Sequence, residues 1–154
     1  MNKVFLRAFA LGAIVWFAAT IGLRLGGQWV LLPGARALTG AFVAGLVIMA
    51  VAGPLLRRRV SRDPADAATV AVGLILPGMF GDCAESLAFG HVYPNLSPML
   101  GRNFAALALW YYAVGALAIM LQASLTGGSH AGIDDGRSGR DRRGDRDQGV
   151  ARAA

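Results

Sequence analysis

The chain has 154 residues, of which 55% are hydrophobic and only 16% charged, with a formal net charge of +6. About a quarter of the residues of an ordinary soluble domain are charged, so this composition argues against one. Cys83 is the only cysteine, which excludes an intramolecular disulfide and a multi-cysteine metal site.

The charges are clustered. Residues 127–154 hold 11 of the 24 acidic and basic residues, and long apolar runs alternate with short polar ones before them. Two regions follow: a membrane domain over residues 1–126 and a polar tail over residues 127–154. The basic residues flank apolar segments, as they do in the cytoplasmic loops of membrane proteins. The lipid bilayer is therefore the expected partner, and nucleic acid is not.

A hydrocarbon core of roughly 30 Å needs about 20 helical residues. Four runs meet that length: 4–23, 38–56, 67–89 and 104–123. The first follows Lys3 and Arg7 but is longer than a signal-peptide core and has no clear cleavage site before Arg24, so it is read as a retained helix. The first, second and fourth runs lack a polar stripe at helical period, which places lipid around them. The expected fold is all-α, a polytopic four-transmembrane-helix bundle with a disordered C-terminal tail. The tail is rich in Gly, Arg and Asp and poor in apolar residues.

Basic residues give the orientation. Lys3, Arg7, the second loop (Arg57, Arg58, Arg59, Arg62) and six tail arginines fall on one side. Only Arg24, Arg36 and Arg102 fall on the other. Excess Lys and Arg marks the cytoplasmic side, so both termini are expected there, with Arg57, Arg58, Arg59 and Arg62 against anionic lipid. Arg-rich usage with abundant Ala and Gly suggests a bacterial genome, hence the inner membrane.

Lipid is as apolar as leucine, so helices associate through close backbone approach at small residues. Ala8 with Gly12, Gly40 with Ala44, Ala41 with Gly45, and Gly115–Ala116 supply such positions, within the chain or between copies of a homo-oligomer. Trp29 and Tyr93 fall in loops and suit an interfacial aromatic belt. Trp16, Trp110, Tyr111 and Tyr112 lie deeper and read as packing residues. No internal repeat supports an inverted-repeat architecture.

The third run differs from the others. Asp82 and Glu85 interrupt its apolar sequence three residues apart and so share a helix face. Pro77 removes a backbone donor, and with Gly78 it predicts a helix break. Counting 1.5 Å per residue from Ala67, Asp82 lies roughly 6–9 Å beyond the bilayer middle, in the outer half. The simpler expectation is charge pairing with the outer-side residues Arg24, Arg36, Arg102 or His91. The sharper one is a proton or cation site, since acids inside a membrane are functional candidates by default. Cys83 reads as a space-filling neighbour. His91 with the two acids matches no metal-ligand spacing, and no catalytic, phosphate-binding or dinucleotide motif occurs. No metal or cofactor is expected, and an enzyme is the least supported class without being excluded.

The segments Leu76-Pro-Gly-Met-Phe-Gly-Asp82 and His91-Val-Tyr-Pro-Asn-Leu96 resemble those of a family of small bacterial membrane proteins of unknown function. Gly22 to Gln28 is similar to the first outer loop of that family. The resemblance spans about Val4 to Ala123 and implies a four-helix fold with no known activity. Asp82 lies in its third-helix motif, whereas Glu85 stands where an apolar residue is expected. The functional expectation is a non-enzymatic interaction or structural membrane subunit. The alternative is a small oligomeric transporter or proton-coupled permeation unit that uses Asp82 and Glu85.

Overall fold

The structure is a computed structural model and describes residues 2–29, 31 and 34–126. It contains the expected all-α bundle: α1 (Lys3–Val30), α2 (Ala35–Val60), α3 (Ala67–Leu87), a single turn α4 (Phe89–Val92) and α5, which begins at Gly101 and is described as far as Thr126. Short 3-10 turns at Pro64–Asp66 and Pro98–Leu100 lead into α3 and α5. The tail expected to be disordered from Gly127 lies outside the described residues.

Among the described residues, four helical stretches are long and apolar enough to cross a membrane: Lys3–Trp29, Ala35–Val60, Pro64–Leu87 and Pro98–Thr126. At 1.5 Å per residue, the shortest of them, 24 residues, spans about 36 Å, enough for the hydrocarbon core. Three of the four run several residues past their apolar cores.

The helices pack in the order α1, α3, α5, α2. Helix α1 lies along α3, α3 along α5, and α5 along α2, while α1 and α2 barely touch. Small residues make these approaches possible. Ala8 is fully buried against α3, and a Cβ on Gly73 would stand 2.6 Å from the Ala8 methyl carbon. A Cβ on Gly12 would collide with the Leu74 carbonyl. On α2, Gly45 faces the Tyr111 ring of α5. Trp110 Nε1 donates to the Phe42 carbonyl at 3.0 Å, and the Tyr111 hydroxyl donates to the Ala41 carbonyl at 3.2 Å. The outward faces carry Ile14, Phe17, Val47, Val51, Phe80 and Leu121, all exposed, as lipid-facing positions should be.

The polar loops close the two ends. Gly34 begins α2 at φ 112°, a conformation that residues with a Cβ rarely adopt. At the opposite end Ser61 Oγ donates to Asp66 at 2.7 Å, and Asp63 Oδ1 accepts from the Ala65 amide at 2.9 Å.

Arg57 corrects one expectation. It does not reach lipid: it is only 2% exposed. Its guanidinium donates to Gln122 Oε1 at 3.2 Å, the Asp63 carbonyl at 3.0 Å and the Arg62 carbonyl at 3.4 Å. The planar, fixed fork of arginine suits this joining of α2, α5 and the loop between α2 and α3. Arg58, Arg59 and Arg62 are exposed.

Candidate functional site

Helix α3 runs unbroken from Ala67 to Leu87 through Pro77, so the expected break at Pro77–Gly78 does not occur. The glycines serve close approach instead. A Cβ on Gly78 would collide with the Tyr112 hydroxyl, and one on Gly81 with the Trp16 indole. Gly78 lies four residues before Asp82, and Gly81 four before Glu85, so all four share one helix face. The missing side chains let two large aromatics reach the acids on the following turn.

Each acid oxygen then meets one neutral donor. Asp82 Oδ1 accepts from Trp16 Nε1 at 3.0 Å, and Asp82 Oδ2 from the Tyr112 hydroxyl at 2.6 Å. Glu85 Oε1 accepts from the Thr20 hydroxyl at 2.7 Å, and Glu85 Oε2 from the Tyr93 hydroxyl. Trp16 and Thr20 are one turn apart on α1, a spacing that matches the one between the two acids. Tyr112 comes from α5, and Tyr93 from the loop after α4. Asp82 is half-buried and Glu85 buried.

Tyr93 is fully buried, so it does not belong to an interfacial belt. Its ring packs between Phe89 and Phe104, with centroids 5.3 Å from each, and Leu96 and Leu100 complete the cluster. Burial, then the hydrogen bond from its hydroxyl to Glu85, push the Tyr93 phenol well above the ordinary tyrosine range. It therefore remains a hydrogen-bond donor at neutral pH.

The expected pairing with arginine is replaced by these neutral donors. Arg24 donates instead to the Val92 carbonyl at 2.6 Å and more weakly to the His91 carbonyl at 3.5 Å. Nearby, Asn95 Nδ2 donates to Gln28 Oε1 at 2.6 Å and to the Leu23 carbonyl at 3.2 Å. These bonds clasp the end of α1 to the 91–96 loop and hold Tyr93 over Glu85. A backbone carbonyl offers Arg24 a fixed acceptor at the rim without bringing a guanidinium into the bundle. Arg36, Arg102 and His91 are exposed. Cys83 is also exposed and does not fill the core. Among the described residues, no three His, Cys, Asp or Glu side chains cluster as metal ligands would.

The fold and its acid pair define a class: a multi-pass helical membrane protein with two carboxyl groups at the contacts between its helices. Within that class the chain belongs to a family of unknown function (DUF5367), whose model matches residues 32–125. The match takes in Asp82, Glu85, Tyr93 and Tyr112, and it begins after Trp16 and Thr20. No curated protein and no solved structure matches the chain.

Proposed function

We propose that the protein is a small proton-linked permeation or transport unit, working as a homo-oligomer, in which Asp82 and Glu85 form the proton site. One observation carries this reading. Two carboxyl groups inside a membrane-spanning bundle are surrounded by four neutral donors and by no basic side chain among their described partners. Ionised groups in a low-dielectric interior are costly unless compensated. Binding a proton removes a charge at that place and needs no space for a larger ligand. The close fit of Trp16 and Tyr112 against Gly81 and Gly78 suits a proton better than a bulky cation.

The membrane is taken to be a bacterial inner membrane with both termini cytoplasmic, on the positive-inside distribution of basic residues. Arg58, Arg59 and Arg62 would then meet anionic lipid at the cytoplasmic face, and the acid pair would lie in the outer half.

Purified protein in liposomes carrying a trapped pH indicator tests this reading. With an imposed membrane potential, proton flux should exceed that of empty liposomes and should fall to the empty-liposome rate in the double variant Asp82→Asn, Glu85→Gln. Wild-type flux no faster than empty liposomes, or a double variant as fast as wild type, would refute the proposal.

One observation favours a second reading, a non-enzymatic interaction or structural subunit. Ala8, Gly12 and Gly45 are used in contacts within the chain, but Gly40 and Ala44 face outward, with open space around Gly40. A small-residue face of this kind accepts another membrane helix. If crosslinks at this face captured a different membrane protein and liposomes showed no proton flux, the second reading would be favoured.

A further inference from the structure

We infer that the proton bound by the acid pair resides on Glu85 Oε1, that Asp82 is the fixed negative partner, and that Thr20 is the positioning residue that admits the proton. This inference rests on the proton-linked reading and specifies where in the pair that proton is held.

The neighbours of each oxygen decide the assignment. An indole N–H donates and cannot accept, so Asp82 Oδ1, 3.0 Å from Trp16 Nε1, must be an acceptor. The Tyr112 hydroxyl has a single hydrogen, and Asp82 Oδ2 is its acceptor among the described residues. A proton on Oδ2 would turn that hydrogen away from its acceptor inside the bundle, and an unmade buried hydrogen bond is costly. The Tyr93 hydroxyl likewise donates to Glu85 Oε2, with the Thr20 hydroxyl beside it.

Glu85 Oε1 is different. The Thr20 hydroxyl is within hydrogen-bond distance of two acceptors: Glu85 Oε1 at 2.7 Å and the Trp16 carbonyl, one turn earlier, at 3.1 Å. Threonine in a helix readily donates to the carbonyl four residues before it. Its hydroxyl carries one hydrogen, and a carbonyl oxygen carries none. When that hydrogen points to Glu85, the carboxylate is satisfied without a proton. When it points to Trp16, Oε1 can carry the proton and donate it to the Thr20 oxygen. Both arrangements use every hydrogen and leave the heavy atoms where they are. Binding is the addition of one proton to the Oε1 lone pair, with the Thr20 hydrogen turning from one acceptor to the other.

The groups facing the pair come from every element packed around it. They are Trp16 and Thr20 from α1, Tyr112 from α5, and Tyr93 from the loop, with each acid facing the other on α3. Among the described residues none of these groups is basic, and Asp82 and Glu85 lie three residues apart on the same face of α3.

Infrared difference spectra of the full chain in lipid, recorded across pH, test this through the C=O band of a protonated carboxyl group. The band should be present in wild type, lost in Glu85→Gln and retained in Asp82→Asn. Thr20→Val should shift its frequency, and Thr20→Ser should restore it, an outcome that a purely structural role for Thr20 would not produce. Thermal midpoints supply a second readout. The amide introduced by Glu85→Gln can donate its N–H to Thr20 and present its oxygen to Tyr93, so this variant should melt no lower than wild type. Asp82→Asn sets an amide donor against the Trp16 or Tyr112 donor and should melt lower. If the band survives Glu85→Gln, or if Glu85→Gln melts below Asp82→Asn, the assignment is overturned. If the band is lost only with Asp82, the pair remains a proton site but the residue is wrong. Absence of any such band in wild type overturns both the assignment and the proton-linked reading.

Discussion

The Tyr112 hydroxyl donates to Asp82 Oδ2 at 2.6 Å across the α3–α5 interface, over the gap left by Gly78. One residue earlier, the Tyr111 hydroxyl donates to the Ala41 carbonyl at 3.2 Å on α2. Adjacent tyrosines thus tie α5 to two different helices, one through an acid and one through a backbone carbonyl. Tyr112→Phe leaves a carboxylate oxygen without its donor and should cost about 1–3 kcal/mol. Tyr111→Phe loses a neutral bond and should cost about 0.5–1.5 kcal/mol. Unfolding of the two variants in mixed detergent micelles checks the order, and equal losses would show that the Asp82 contact has no special weight.

The spans and the acid pair were legible because their signals are local. Twenty consecutive apolar residues announce a membrane helix without any knowledge of its neighbours, and Asp82 and Glu85 stand out against such a run. The donors were not legible, because Trp16 and Thr20 lie 66 and 65 residues away from the acids they contact. Hydropathy treats tryptophan and tyrosine as packing residues and says nothing of where an N–H or O–H points. A usable signal was present nonetheless. Gly78, Gly81, Asp82 and Glu85 share one face of α3, so that face needs large partners with polar tips, and Trp16 with Thr20 has the spacing to supply them. Arg57 was misread for a related reason. A run of three arginines reads as uniformly solvated, yet helical geometry turns only one of them inward.

Glycine substitution separates close approach from helix flexibility. In Gly81→Ala the new methyl group collides with the Trp16 indole, and overpacking of this kind costs about 1–3 kcal/mol. That outweighs the roughly 0.5–1 kcal/mol gained by replacing a mid-helix glycine with alanine. Gly40 has nothing near its Cβ position, so Gly40→Ala should show that gain alone. Opposite signs for the two variants in an unfolding titration are expected. Stabilisation of both would mean that the indole does not sit against Gly81.

Alkaline pH should loosen the loop through Tyr93. Its phenol is raised in the folded chain by burial and by Glu85, from an ordinary value of 10.0. Above about pH 10 the unfolded chain has lost this proton while the folded chain keeps it, so the unfolded state binds fewer protons and stability falls as pH rises. Below pH 10 both states hold the proton and the contribution is complete. Tyr93→Phe removes the group and should flatten the decline between pH 10 and higher values, measured as the midpoint of thermal unfolding. An unchanged slope in that variant would show that the decline has another origin.

Arg57 and its two neighbours should behave as different residues despite their identical chemistry. Arg57 is buried, with hydrogen bonds to Gln122 and to two loop carbonyls, while Arg58 and Arg59 are exposed. Hydrogen bonds made by a charged group contribute about 1.5–3 kcal/mol, so Arg57→Ala should lower stability by at least that order. Lysine should rescue it poorly, because a single ammonium cannot reproduce the planar fork. Arg58→Ala and Arg59→Ala remove solvated charges, and such surface changes usually fall within about 0.5 kcal/mol. Their effect should appear instead as weaker association with anionic vesicles, by about 1 kcal/mol for each charge removed near the lipid surface. Unfolding of each variant in neutral detergent, set beside its partition into vesicles with and without anionic lipid, separates the two roles. If Arg57→Ala lost vesicle affinity but not stability, its buried position would be wrong.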